Sequence, residues 1–110
     1  MDLLEKYIHD NSSAEAELLQ ELDRETHLRV INPRMISGHI QGKFLELLVK
    51  MYRPKNILEI GTFTGYSALC LAAGLEDDAV IDTCEVDDEL ESIAQSFFAR
   101  SAHGHKIHQH

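Results

Sequence analysis

The chain has 110 residues, 44% hydrophobic and 26% charged, enough for one domain with a packed core and too few for two. Nineteen acidic residues against ten basic ones leave a formal net charge of −9, which opposes binding to nucleic acid or an anionic membrane, because both need clustered cations. No apolar run has membrane-spanning length, and the start Met1-Asp2-Leu3-Leu4-Glu5-Lys6 lacks the basic and apolar regions of a secretory signal, so a cytoplasmic protein with a small-molecule partner is expected.

Asp2 to about His9 places Leu3, Leu4, Tyr7 and Ile8 on one helical face. A second helix is expected from Ser12 or Ser13 to about Leu28, because Ser12 and Glu15 have capping-box spacing and Leu18, Leu19 and Leu22 make an apolar side. Residues 1–31 thus read as peripheral helices. Asn32-Pro33 interrupts them, since proline biases the residue before it away from helix. From about Gly38 to Tyr52, Ile40, Phe44, Leu47, Leu48 and Met51 recur at spacings of three and four, the strongest amphipathic pattern in the chain, and it stops before Pro54.

A first strand is predicted over about Asn56 to Ile60, followed by a helix over about Gly65 to Ala73 that Gly74 is placed to stop. A second strand covers about Ala79 to Glu85, Asp87 caps a helix with Leu90, Ile93, Ala94 and Phe97 inward, and Lys106 to His110 starts a third strand. Residues 32–110 form the β-α-β-α-β core of a single domain. Right-handed crossovers place its parallel strands in the order 3-2-1, the first half of a doubly wound, Rossmann-like α/β sheet with extra N-terminal helices. The strand that should flank the first one on its other side is missing from this run. Its open edge is therefore expected to pair with a second copy or a further segment.

The turn after the first strand carries the chemistry. Gly61 lets a ligand approach the backbone, Gly65 permits a second sharp bend, and Glu85, 24 residues beyond Gly61, suits an acid accepting from ribose hydroxyls. The spacing departs from the dinucleotide fingerprint: the two glycines are four apart, and Phe63 leaves little room for a pyrophosphate. A cofactor without phosphate fits better. Taken alone, the loop is also compatible with a structural turn followed by a solvated acid.

Three blocks in order widen the pattern: Met35-Ile36-Ser37-Gly38-His39-Ile40-Gln41-Gly42-Lys43-Phe44-Leu45, then Ile57-Leu58-Glu59-Ile60-Gly61-Thr62-Phe63-Thr64-Gly65-Tyr66-Ser67, then Cys84-Glu85-Val86-Asp87. From Asn32 to about Asp88 the chain resembles the cation-dependent O-methyltransferases, the group of caffeoyl-CoA and catechol O-methyltransferases, which use S-adenosylmethionine. The resemblance implies that Met35 and Ser37 border the cofactor, that Glu59, Gly61, Thr62 and Ser67 contact its methionine end, and that Glu85 holds its ribose. The helix start near Ser67 suits the cofactor's carboxylate, and Glu59 its ammonium group. The resemblance further implies transfer of a methyl group to a hydroxyl of a small aromatic, catechol-like acceptor, assisted by a divalent cation, Mg or Ca, and a homodimer. The family's metal ligands lie after the third strand, so no metal ligand is assigned here, and the chain reads as the donor-binding half of such an enzyme.

Two other functions share parts of this pattern. An NAD-dependent oxidoreductase would use the same sheet and ribose acid but calls for glycine near position 63. A noncatalytic binding module would keep the sheet without the chemistry. Cys70 and Cys84 read as reduced core residues, and His103, His105, His108 and His110 as solvated side chains able at most to capture a metal adventitiously.

Overall fold

A computed structural model describes residues 2–110. Helix α1 spans Leu3–Asp10, closed at its start by a reciprocal capping box between Asp2 and Glu5. Helix α2 spans Glu17–Arg29 and starts later than expected, on Ala16 without a side-chain cap. The Ser12–Glu15 capping box does not form. Ser12 Oγ instead donates to the Ile8 carbonyl at 2.6 Å, satisfying the end of α1, and the Glu15 carboxylate accepts from the buried Tyr66 hydroxyl. A 3-10 turn at Pro33–Met35 leads to helix α3, His39–Tyr52, which ends in the left-handed Arg53 before Pro54.

Strand β1 (Asn56–Ile60), helix α4 (Tyr66–Gly74), strand β2 (Val80–Cys84), helix α5 (Asp88–Arg100) and strand β3 (Ile107–Gln109) complete the order. Asp87 caps α5, accepting from the Glu89 N–H at 3.0 Å. Among the described residues the sheet is β1-β2-β3 and wholly parallel, with Leu58 beside Asp82 and Asp82 beside His108. That is the order expected of the first half of a doubly wound sheet.

Strand residues alternate in burial. Ile81, Thr83 and Ile107 face the core, which α4 and α5 fill with Leu69, Ala72, Ile93, Ala94 and Phe97. The opposite face carries Leu58, 67% exposed, and Ile60, 78% exposed, so the sheet is covered on one side. Lys106 is 4% exposed and donates to the Leu75 carbonyl at 2.7 Å, closing the end of α4 with a cation where its dipole is negative.

The apolar stripe of α3 lies outside the core: Phe44, Leu47, Leu48 and Met51 are all exposed, while Gly42 and Val49 on another face are buried against α4. Gly74 does not stop α4 by a left-handed turn, because it is the last helical residue and Leu75 ends the helix in extended conformation. A Cβ at Gly74 would lie 2.7 Å from the Glu46 carbonyl oxygen and one at Gly42 2.5 Å from Cys70 Sγ. Both glycines let the two helix backbones approach closely.

Candidate functional site

The chemistry-bearing residues gather at the carboxyl ends of β1 and β2. Gly61 has φ +99°, a conformation that L side chains rarely adopt, and its open side meets no atom within 4 Å, so backbone is presented to free space. Gly61 and Thr62 both donate their N–H groups to the Cys84 carbonyl, at 2.8 and 3.1 Å, which ties the turn to the end of β2. Gly65, also at φ +99°, packs so tightly that a Cβ would lie 2.6 Å from the Phe98 ring.

Between the glycines stands Phe63 at φ +51°, uncommon for an aromatic residue. Glu85 holds it there: one carboxylate oxygen accepts from the Phe63 N–H at 2.8 Å and the other from the Asp87 N–H at 3.2 Å. Each oxygen keeps a further lone pair for a ligand donor.

Two cavities meet over this turn. The larger, about 460 Å³, is lined by Met35, Gly61, Phe63, Glu85, Asp87 and Leu90, and the smaller, about 50 Å³, by Met35, Ser37, Gly61, Thr62, Phe63 and Ser67. Shared Met35, Gly61 and Phe63 make them one trough. The structure thus brings Met35, Ser37, Gly61, Thr62, Ser67 and Glu85, six of the residues singled out by the resemblance, together around the trough.

Glu59 is the exception, since it lines neither cavity. Its carboxylate lies behind Ser67, accepting from the Ser67 hydroxyl and from Thr83 Oγ1 at 2.7 Å, and Thr83 Oγ1 in turn sits 2.7 Å from Thr62 Oγ1. Burial pushes the Glu59 carboxyl above its ordinary value, and the hydrogen bonds from Ser67 and Thr83 partly offset this. Sequence reasoning missed Thr83, and it read Phe63 only as an obstacle to a pyrophosphate, not as a residue held by Glu85. The signal for Thr83 was a hydroxyl on the inward register of β2, two residues after the core Ile81, where a polar side chain must find a partner. The left-handed backbone at position 63 left no local signal, because the Phe63 N–H is held by Glu85, 22 residues further on, just after β2.

Other candidate groups fall outside the trough. Burial pushes the Cys70 thiol up to about 12, leaving it a packing residue. Cys84 is half-buried on the open face of the sheet and not in the core. Asp82 Oδ1 lies 2.8 Å from His110 Nε2 and 3.7 Å from His108 Nδ1, so a carboxylate does stand beside these histidines. Even so, among the described residues no group of three His, Cys, Asp or Glu side chains is arranged to hold a metal ion. Among the same residues no helix is long and apolar enough to cross a membrane.

The trough offers an acid at one end, hydroxyl oxygens at the other, and bare backbone between, a set that suits an elongated ligand rich in donors. The sequence model of a family described as O-methyltransferase matches residues 9–110. The caffeoyl-CoA O-methyltransferase of Petroselinum crispum is 35% identical over 108 residues, covering 96% of this chain and 44% of that protein. Caffeoyl-CoA O-methyltransferase 2 of Petunia hybrida is 36% identical over 108 residues, with the same coverage of each. The chain thus spans about half the length of the curated relatives it matches.

Among solved structures, the O-methyltransferase TomG of Streptomyces achromogenes, in complex with SAM, superposes with a TM-score of 0.88 at 32% identity, over 97% of this chain and 48% of that one. The O-methyltransferase of Bacillus cereus, in complex with SAH, gives a TM-score of 0.89 at 31% identity over the same shares.

Proposed function

The chain belongs to the O-methyltransferase family, and from that premise we propose that its trough holds S-adenosylmethionine for transfer of the methyl group to a hydroxyl of a small aromatic, catechol-like acceptor. The observation that carries the proposal is the meeting of the two cavities at Gly61, with Glu85 at one end and Ser67, backed by Glu59, at the other.

Glu85 accepts from the ribose hydroxyls with the lone pairs that Phe63 and Asp87 leave unused. Gly61 lets the chain of the ligand pass against the backbone, and Met35 covers the trough from the far wall. Ser67 faces the ammonium group with its hydroxyl oxygen, and the carboxylate of Glu59 behind it adds negative charge that attracts a cationic donor. When bound, the sulfonium supplies an activated methyl group, and the protein's contribution is to hold it in one orientation. Phe63 narrows the turn where a dinucleotide would need space, which favours this cofactor over NAD.

The divalent cation implied by the resemblance finds no ligand set among the described residues, and the role proposed for the residues of this chain is methyl-donor binding. In equilibrium dialysis, methyl-labelled S-adenosylmethionine should be retained by the chain and displaced by S-adenosylhomocysteine. No retention, or retention that S-adenosylhomocysteine does not compete away, would refute the proposal.

A further inference from the structure

We infer that Thr83, whose hydroxyl bridges Glu59 and Thr62 beneath the trough, is a positioning residue for the amino-acid end of the methyl donor. The inference rests on the cofactor assignment above and extends it to a residue outside the trough wall.

The chain of hydroxyls has only one consistent order of protons when Glu59 is ionised. A carboxylate only accepts, so the single hydroxyl proton of Thr83 is committed to Glu59 at 2.7 Å. The 2.7 Å contact between Thr83 and Thr62 must then be donated by Thr62. Ser67 likewise commits its one proton to the other oxygen of Glu59, which leaves the lone pairs of a trough-lining hydroxyl directed to the ligand side. An oxygen so arranged accepts from an ammonium group and offers nothing to a carboxylate.

Thr83 is well suited to fix this arrangement. It is 0% exposed, and Thr62 is 1% exposed, so neither hydroxyl can exchange its partner for water. Through Thr62 it also reaches the turn itself, since Gly61 and Thr62 hang by their N–H groups from the Cys84 carbonyl next door. One buried hydroxyl therefore sets the direction of the Glu59 charge, while the glycine turn keeps its own ties to the Cys84 carbonyl. Without it, Glu59 keeps a single hydroxyl donor and Thr62 loses its acceptor.

The test compares two ligands that differ at the amino-acid end. S-adenosylhomocysteine carries the ammonium group, and 5′-methylthioadenosine ends at the thioether. Calorimetric titration of the 110-residue chain should show that Thr83→Val, which keeps the shape of the side chain and removes the hydroxyl, weakens S-adenosylhomocysteine about tenfold or more, the usual effect of losing a hydrogen bond to a charged group. Methylthioadenosine should bind the variant as it binds the wild type. Thr83→Ser should restore S-adenosylhomocysteine binding, which a loss of packing at the methyl group would not allow.

If Thr83→Val does not fold by circular dichroism, Thr83→Cys, a weak donor of similar size, takes its place with the same expected split. Unchanged affinity for S-adenosylhomocysteine, equal loss for both ligands, or a Thr83→Ser variant as impaired as Thr83→Val would overturn the assignment. Failure of the wild-type chain to bind S-adenosylhomocysteine would instead overturn the cofactor assignment and this inference with it.

Discussion

Glu59 is held in a place where burial works against its charge, with two hydroxyl donors in partial compensation. Its folded-state pKa lies above the ordinary 4.5, so the stability it contributes is fully present below that value and lost as the pH rises through the raised one. Above that raised value the ionised group is a burden on the fold. Glu59→Gln should therefore melt at or above the wild-type temperature at pH 7, because Ser67 and Thr83 can rotate their hydroxyls to suit an amide, and this advantage should vanish near pH 4. Thermal melts at the two pH values check it, and a variant less stable than wild type at pH 7 would contradict it. At this scale six of the seven residues that the resemblance singled out line the candidate trough. The seventh, Glu59, was expected at the ligand itself, and linear spacing could not reveal that Ser67 stands in front of it.

At the scale of elements, β1, α4, β2 and α5 were legible because their signals are local: alternating apolar residues, a glycine bend, an aspartate cap. Helix α3 was legible in extent but not in orientation. The stripe of large apolar residues, Phe44, Leu47, Leu48 and Met51, is exposed, and α4 is met by the face with Gly42 and Val49, which the amphipathic spacing did not single out. Close approach of two backbones requires small residues, and a stripe of large ones cannot supply it. Gly42→Val should accordingly destabilise the fold by about 1–3 kcal/mol through overpacking against Cys70 and Tyr66, read as a lower denaturant midpoint with unchanged slope. An unchanged midpoint would mean that α3 does not press on α4 as described. The start of α2 was misread for a related reason: Ser12 and Glu15 have capping spacing but spend their side chains on α1 and on Tyr66, a contact 51 residues away that no local pattern encodes.

Across the whole molecule, the edge of β1, the bare sheet face with Leu58 and Ile60, and the exposed stripe of α3 present far more apolar surface than scattered side chains do. An open strand edge of this kind pairs readily with another strand. In sedimentation velocity the isolated chain is expected to self-associate as concentration rises, and Leu58→Lys, which places a charge on the open face beside that edge, is expected to suppress it. A monomer at every concentration would contradict this. The arrangement that matters most, however, is the trough, where bare backbone at Gly61 lies between an acid and a set of accepting oxygens. The most direct test is a calorimetric titration of the chain and of its Glu85→Ala variant with S-adenosylhomocysteine in the presence of excess NAD. Saturable binding at one site that NAD does not displace, weakened by about ten- to a hundredfold in the variant, is the predicted result. Displacement by NAD, or equal affinity in the two proteins, would contradict it.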